Sequence, residues 1–207
     1  MASLSRRTEA QSSKRAAVEA NVLRATEALL DEGAAYSELG IERIATRAGI
    51  SRTAFYFYFR DKRELLMRLT AGVAEELFAE AERWWAGDGE GRAELEAAIA
   101  KIVDIYRRHP ALLRAIVEAA AYDEEVAGFW RALVGRFVDS TRERIEREQA
   151  AGNAAAGVPA QATAFALVWM TERSAYERLV QRESVAEGPF VDALLRIWLA
   201  AVYGAPR

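Results

Sequence analysis

The sequence predicts an all-α fold of about nine helices. Alanine-rich stretches with abundant Leu, Glu and Arg fill most of the chain, and only 4 of its 207 residues are proline. No segment sustains the apolar–polar alternation of a half-buried strand. A chain of this length fits a small domain followed by one larger core, or a single helical body.

The first helix is expected from about Lys14 to Glu32, with Val18, Val22, Ala25, Leu29 and Leu30 inward and Gly33 ending it. Ile41, Ile44, Ala45 and Ala48 recur at three- and four-residue spacing, so a short second helix buries one stripe. It ends at Gly49, which accepts the positive φ that reverses the chain. Ser51 is placed to accept from the open amides of a third helix, which carries Arg52-Thr53-Ala54 and the aromatic run Phe55 to Phe59. Asp61 caps a long fourth helix from Lys62 to about Trp85, and Gly87, Gly89 and Gly91 then form a flexible turn. A fifth helix follows from about Arg92 to Arg108. The sixth runs from Pro110, a residue suited to a first helical turn, to about Tyr122. The seventh spans Glu124 to Ala150, a small-residue loop covers Ala151 to Gly157, the eighth spans Pro159 to about Arg182, and the ninth Glu187 to Tyr203.

Composition excludes several function classes. With no cysteine and a single histidine, His109, thiolate metal sites, disulfides and cysteine nucleophiles are ruled out, and a reducing cytoplasm fits. Arg107, Arg108 and Pro110 around His109 mark a helix junction. Asp123 and Glu124 suit the positive end of the seventh helix. Neither a Gly-rich phosphate loop nor a nucleophile triad is present, so no enzyme and no cofactor are expected. The basic N-terminus has no following apolar run, which argues against a signal peptide or membrane span. Residues 1–13, with Arg6, Arg7 and several serines, read as a flexible arm, either solvated or lying along DNA.

The informative segment is Gly40 to Lys62. Between Arg43 and Arg68 seven Lys or Arg face only Asp61 and Glu64, whereas the whole chain carries a net charge of −3. Positive charge is therefore concentrated where two short helices meet at a glycine turn, the pattern of a DNA-reading helix-turn-helix. Arg52 suits bidentate contact with guanine, Thr53 offers a methyl to thymine, and the hydroxyls of Tyr56 and Tyr58 suit phosphate oxygens. Lys62, with Arg60 and Arg63, extends the phosphate contact. The competing reading makes the aromatics the core of a small bundle. Phe55 and Phe59, four apart, fit that reading, but Tyr56, Phe57 and Tyr58 cannot all point inward at 3.6 residues per turn. The candidate DNA-contacting set is Ser51, Arg52, Thr53, Tyr56, Phe57, Tyr58 and Lys62.

On Ile44-Ala45, Ala48-Gly49-Ile50-Ser51, the run Phe55 to Phe59, and Lys62, this segment resembles the DNA-binding domain of the TetR family of transcriptional repressors. Glu172-Arg173 and the stretch Ile197-Trp198 through Tyr203-Gly204 extend the resemblance to the branch of the mycobacterial ethionamide-activation repressor. It implies a helix-turn-helix domain over 14–61 and a ligand-binding and dimerisation domain over 62–207. It also implies a homodimer on a palindromic double-stranded DNA operator, with helices eight and nine pairing across a two-fold axis. The residues agree with that pairing, because Phe165 to Met170 and Phe190 to Tyr203 are apolar around much of their circumference. A second copy is the simplest cover, a wholly intramolecular core the other.

Leu95, Ile99, Ile102 and Tyr106 on helix five, and Trp130, Val134, Phe137 and Thr141 on helix seven, form two continuous stripes. Such stripes are usually core. The resemblance implies instead that they line an elongated tunnel for a small hydrophobic ligand, with Tyr176 and Trp198. Val168 and Thr171 stand where the branch carries amides, so the ligand is expected to be apolar with one hydrogen-bonding group, partnered by Thr141, Thr171 or Tyr176. The leading expectation is a cytoplasmic repressor released from its operator by that ligand. The alternatives are a regulator without small-molecule control, or an all-helical carrier or enzyme.

Overall fold

The computed structural model describes residues 2–87, 91–154, 157–181 and 184–204, with side chains from Ser12 onward. Among these residues the chain forms nine α-helices and a single 3-10 turn: α1 (Ala2–Asp31), the turn Tyr36–Glu38, α2 (Ile41–Ala48), α3 (Arg52–Phe55), α4 (Lys62–Ala86), α5 (Gly91–Arg108), α6 (Pro110–Ala120), α7 (Glu124–Ala150), α8 (Ala160–Leu179) and α9 (Glu187–Tyr203). The expected all-α class holds, and α7 and α9 have the expected bounds. Gly89 of the glycine turn, part of the Ala151–Gly157 loop and Arg182 lie outside the described residues.

Two expectations about the reader are corrected. α1 begins at Ala2 rather than Lys14, so residues of the expected arm enter the first helix; they include no glycine or proline to stop it. α3 ends at Phe55 instead of running through the aromatic series. Beyond it, Phe57 N–H and Tyr58 N–H donate to the carbonyls of Ala54 and Phe55 at three-residue spacing, at 3.1 and 2.9 Å. Five consecutive aromatics are poor helix formers, and Phe55 and Phe59 must both reach the core, where their centroids lie 5.4 Å apart. Tightening the winding into 3-10-type turns meets both demands.

Two cores stack along the molecule. The first gathers Val22, Leu29 and Leu30 of α1, Ile44 of α2, Phe55, Phe59, Leu65 and Leu66, and it continues into Leu112, Ile116 and Ala119 of α6. The reader is thus seated on α6. The second core joins Trp84 and Trp85 at the end of α4 to Leu95 and Ile99 of α5, Ile145 of α7, Leu167 of α8, and Leu194 and Trp198 of α9.

The far end of the second core is closed by a buried polar knot. Arg144 pairs with Glu148 at 2.5 Å and reaches Glu94 and the carbonyl of Gly87. Trp84 Nε1 donates to the Tyr203 hydroxyl at 3.0 Å. Gly91 leaves room for the knot, because a Cβ there would fall 2.3 Å from that hydroxyl and the knot's side chains would have to shift.

Candidate DNA-reading surface and ligand cavity

The reader is set by three local devices. Gly49 takes φ +71° and its N–H donates to the carbonyls of Ala45 and Thr46, closing α2. Ser51 Oγ accepts from Ala54 N–H at 3.0 Å, opening α3. Asp61 accepts from Glu64 N–H at 2.8 Å, while the Glu64 carboxylate reaches back to Arg60 N–H at 2.7 Å, a reciprocal cap in the style of a capping box. The Arg60 amide, helped by Arg68, holds the Glu64 carboxyl below its ordinary range. From α1, Asn21 Nδ2 donates to the Ala48 carbonyl at 2.7 Å and fixes the end of α2.

Between these caps the candidate residues divide. Ser51, Arg52 and Thr53 are exposed, as are Tyr56 at 48% and Phe57 at 74%. Phe57 is the most exposed large apolar side chain among the described residues, a liability unless covered. Tyr58 folds back half-buried against the first core, with the Arg15 guanidinium 6.0 Å from its ring centroid. Lys62 also differs from expectation. Its Nζ donates to the carbonyls of Tyr36 at 2.7 Å and Ser37 at 3.2 Å and lies 4.4 Å from the centre of the Tyr36 ring, while Tyr36 OH donates to the Lys62 carbonyl at 3.0 Å. Burial pulls the ammonium below its ordinary pKa. Lys62 is a strut holding the Tyr36 turn to α4, with one donor left for a phosphate.

Arg60 and Arg63, expected to extend the phosphate contact, are paired with carboxylates at the start of α7 in this structure. Arg60 pairs with Glu125 at 3.0 Å, and Arg63 with Glu125 at 2.6 Å and Asp123 at 3.3 Å. These pairs latch the start of α4 to the start of α7. Asp123 has a second task, accepting from Glu125 N–H and Val126 N–H as the cap of α7.

The second site is a cavity of about 90 Å³ lined by residues of α4 to α9, against the roughly 10–15 Å³ that one water requires. Of the expected ligand residues, Leu95, Ile99, Ile102, Tyr106, Trp130, Val134, Phe137, Thr141, Val168, Thr171 and Trp198 line it. Tyr176 does not. Its ring packs with Leu113 and Val180, and its hydroxyl accepts from Gln181 Nε2 at 3.2 Å.

The expected hydrogen-bonding residues are already engaged. Thr141 Oγ1 accepts from Trp85 Nε1 at 3.2 Å. Thr171 Oγ1 donates to the Leu167 carbonyl at 2.9 Å and accepts from Trp198 Nε1 at 2.9 Å. Three polar lining groups escaped the sequence reading. Thr70 Oγ1 and His109 Nε2 are buried without a hydrogen-bond partner, while His109 Nδ1 lies 2.6 Å from Glu27 of α1. The third is Glu172, 5% exposed, whose carboxyl burial pushes up to about 7. A signal was available: Glu172 follows Val168 by four residues and so shares its helix face.

A short helix-turn-helix seated on an all-helical body is the architecture of a DNA-binding regulator. The match to known families agrees. Residues 22–69 match the family described as bacterial regulatory proteins, tetR family, and residues 95–204 match the C-terminal domain of transcriptional regulator EthR. The chain is 32% identical over 192 residues to the HTH-type transcriptional regulator EthR of Mycolicibacterium smegmatis, covering 90% of this chain and 86% of that one. It belongs to the TetR family of transcriptional regulators, with an EthR-type C-terminal domain. The fold is shared with SmeT, the repressor of the Stenotrophomonas maltophilia multidrug efflux pump SmeDEF (TM-score 0.73, 20% identity, 88% of this chain and 89% of that one). It is shared too with FadR of Bacillus subtilis, solved with stearoyl-CoA (TM-score 0.70, 14% identity, 90% and 98%).

Proposed function

We propose that this regulator is a cytoplasmic, homodimeric repressor that holds a palindromic operator through two copies of the α2–α3 reader and leaves it when a small lipophilic molecule fills the α4–α9 cavity. One observation carries the coupling: α7 serves both sites. Its first turn holds Arg60 and Arg63 beside the reader, and Trp130, Val134, Phe137 and Thr141 further along it line the cavity. A ligand that fits better when α7 and α4 shift apart biases the protein toward a state with displaced readers, and only that differential affinity can do so. FadR, bound to an acyl-CoA, supports a lipophilic occupant for a body of this shape.

The second copy is expected on α8 and α9, where Phe165 is 56% and Ile197 47% exposed and the Phe165 and Trp169 rings pair at 6.3 Å. No helix among the described residues is long and apolar enough to cross a membrane.

The test starts by selecting a binding site from random DNA, then titrates lipophilic compounds against the bound complex by fluorescence anisotropy. Release by at least one compound is expected, with Trp130→Ala or Phe137→Ala altering the response more than the affinity for DNA. Equal effects on both, or no compound that moves the complex, would remove the ligand-controlled reading. Sedimentation of a monomer at micromolar concentration would remove the dimer.

A further inference from the structure

Resting on the reading of the cavity as the regulatory site, the structure also constrains the chemistry of its occupant. We propose that the cavity takes a lipophilic amine, an apolar body with one protonated nitrogen that pairs with Glu172.

Three observations meet on this point. Glu172 is buried in the wall of the cavity and has no hydrogen-bond or ion-pair partner among the described residues. A carboxylate withdrawn from water and left unpaired is costly, and a cation delivered by the ligand removes that cost with a charge-assisted bond. Second, the lining contains no Lys or Arg, and its one imidazole, His109, is already paired with Glu27 at 2.6 Å, so no uncommitted cation is there for a carboxylate or phosphate head group. Third, the indole donors of the lining are largely spent, which leaves Thr70 Oγ1 and His109 Nε2 as the open polar atoms besides Glu172. Of the four lining tryptophans, Trp84, Trp85 and Trp198 donate their indole N–H to Tyr203, Thr141 and Thr171.

The titratable groups of the lining are Tyr106 from α5, His109 at the start of α6, and Glu172 itself. The lining residues of α4, α7 and α9 carry no charge, and Arg173 on α8 is the charged neighbour that acts on Glu172. The Arg173 guanidinium stacks on Tyr176, 4.9 Å from its ring centroid, and pairs with Glu177 at 2.7 Å, so it is already engaged.

The experiment compares octylamine, 1-octanol and octanoate by titration calorimetry against the full chain at pH 8, below their micellar concentrations. Octylamine is expected to bind about tenfold or more tighter than octanol, with octanoate weakest. In Glu172→Gln the amine falls to within about twofold of octanol while octanol is unchanged. An amine no tighter than the alcohol, or an advantage that survives Glu172→Gln, overturns the assignment while leaving the cavity a ligand site. Binding of none of the three overturns the site and the amine together. A Glu172→Gln protein that fails to fold is replaced by the wild type at pH 8 and pH 5.5, with His109→Gln alongside to remove the imidazole from the lining. The amine advantage should shrink at pH 5.5, where Glu172 takes up a proton, in both proteins; an advantage constant across pH in both counts against Glu172.

Discussion

The reader and the body place their polar side chains in opposite ways. In the reader the polar groups hold chain ends together: Ser51 and Asp61 cap helices, Asn21 ties the end of α2, and Lys62 clamps the Tyr36 turn. The surface between them is left to Arg52, Thr53, Tyr56 and Phe57. In the body the exposed faces of α8 and α9 carry apolar side chains, Phe165 and Ile197, and polar groups go inside, some paired as in the Arg144–Glu148 knot, others left open as with Thr70, His109 Nε2 and Glu172. A surface that must grip a duplex benefits from rigid supports beneath solvated contacts. A cavity that must respond to an occupant benefits from groups that have yet to find a partner.

The largest effect should come from removing the reader's internal support. Phe55→Ala, which empties a fully buried site beside Phe59, is expected to cost about 3–5 kcal/mol of stability in urea unfolding. A loss under about 1 kcal/mol would mean that the reader does not depend on its own core. Arg52→Ala tests the outer face. It should weaken the selected operator by about 1–3 kcal/mol and relax base choice, leaving stability unchanged. Competition binding against a base-substituted site reads both.

For the body, the sign of the pH effect follows from the raised pKa of Glu172. In the unfolded chain this carboxyl ionises at its ordinary value near 4.5, and in the folded chain at about 7. Between those values the folded state holds the extra proton, so this group's contribution to stability declines as pH rises from about 4.5 to 7 and is level above that. Glu172→Gln should therefore stabilise the protein on the order of 1–3 kcal/mol more at pH 8 than at pH 4.5. A variant whose denaturation midpoint tracks the wild type across pH would show the carboxyl to be solvated or paired. The smallest effect belongs to the latch. Arg63 and Glu125 are substantially exposed, and a double-mutant cycle should give a coupling of about 0.2–1 kcal/mol in stability. The same cycle read as ligand-driven release should show a larger change if the latch transmits the signal.

What the sequence made legible follows from how far apart the cooperating residues lie. The turn at Gly49, the cap at Ser51 and the inward pair Phe55 and Phe59 sit within a dozen positions, so spacing sufficed. The early end of α3 was not legible, because it depends on both rings reaching one core. The strut at Lys62 and the latch from Arg63 to Glu125 join residues distant in the chain, and in sequence each is merely a basic residue near a basic motif. In the body the rhythm of α5 and α7 gave two one-sided apolar stripes, and only the family resemblance turned them from core into a cavity wall. Tyr176 was misplaced because helix eight turns that ring past the cavity onto Leu113. Glu172 was missed because a Glu-Arg pair on a helix reads as solvated until the neighbouring helices are in place.

The continuity of α7 carries one mechanical consequence. Trp130 to Phe137 lie five to twelve residues beyond Glu125 on the same uninterrupted helix, a span of roughly 8–18 Å at 1.5 Å per residue. Pivoted at Phe137, such a rod tilted by about 5° carries its tip sideways by roughly 1.5 Å, a shift that the 2.6 Å contact between Arg63 and Glu125 has to follow or break. A molecule no longer than a short alkyl chain would then need to do very little where it lodges, since the leverage lies in the length of the shaft.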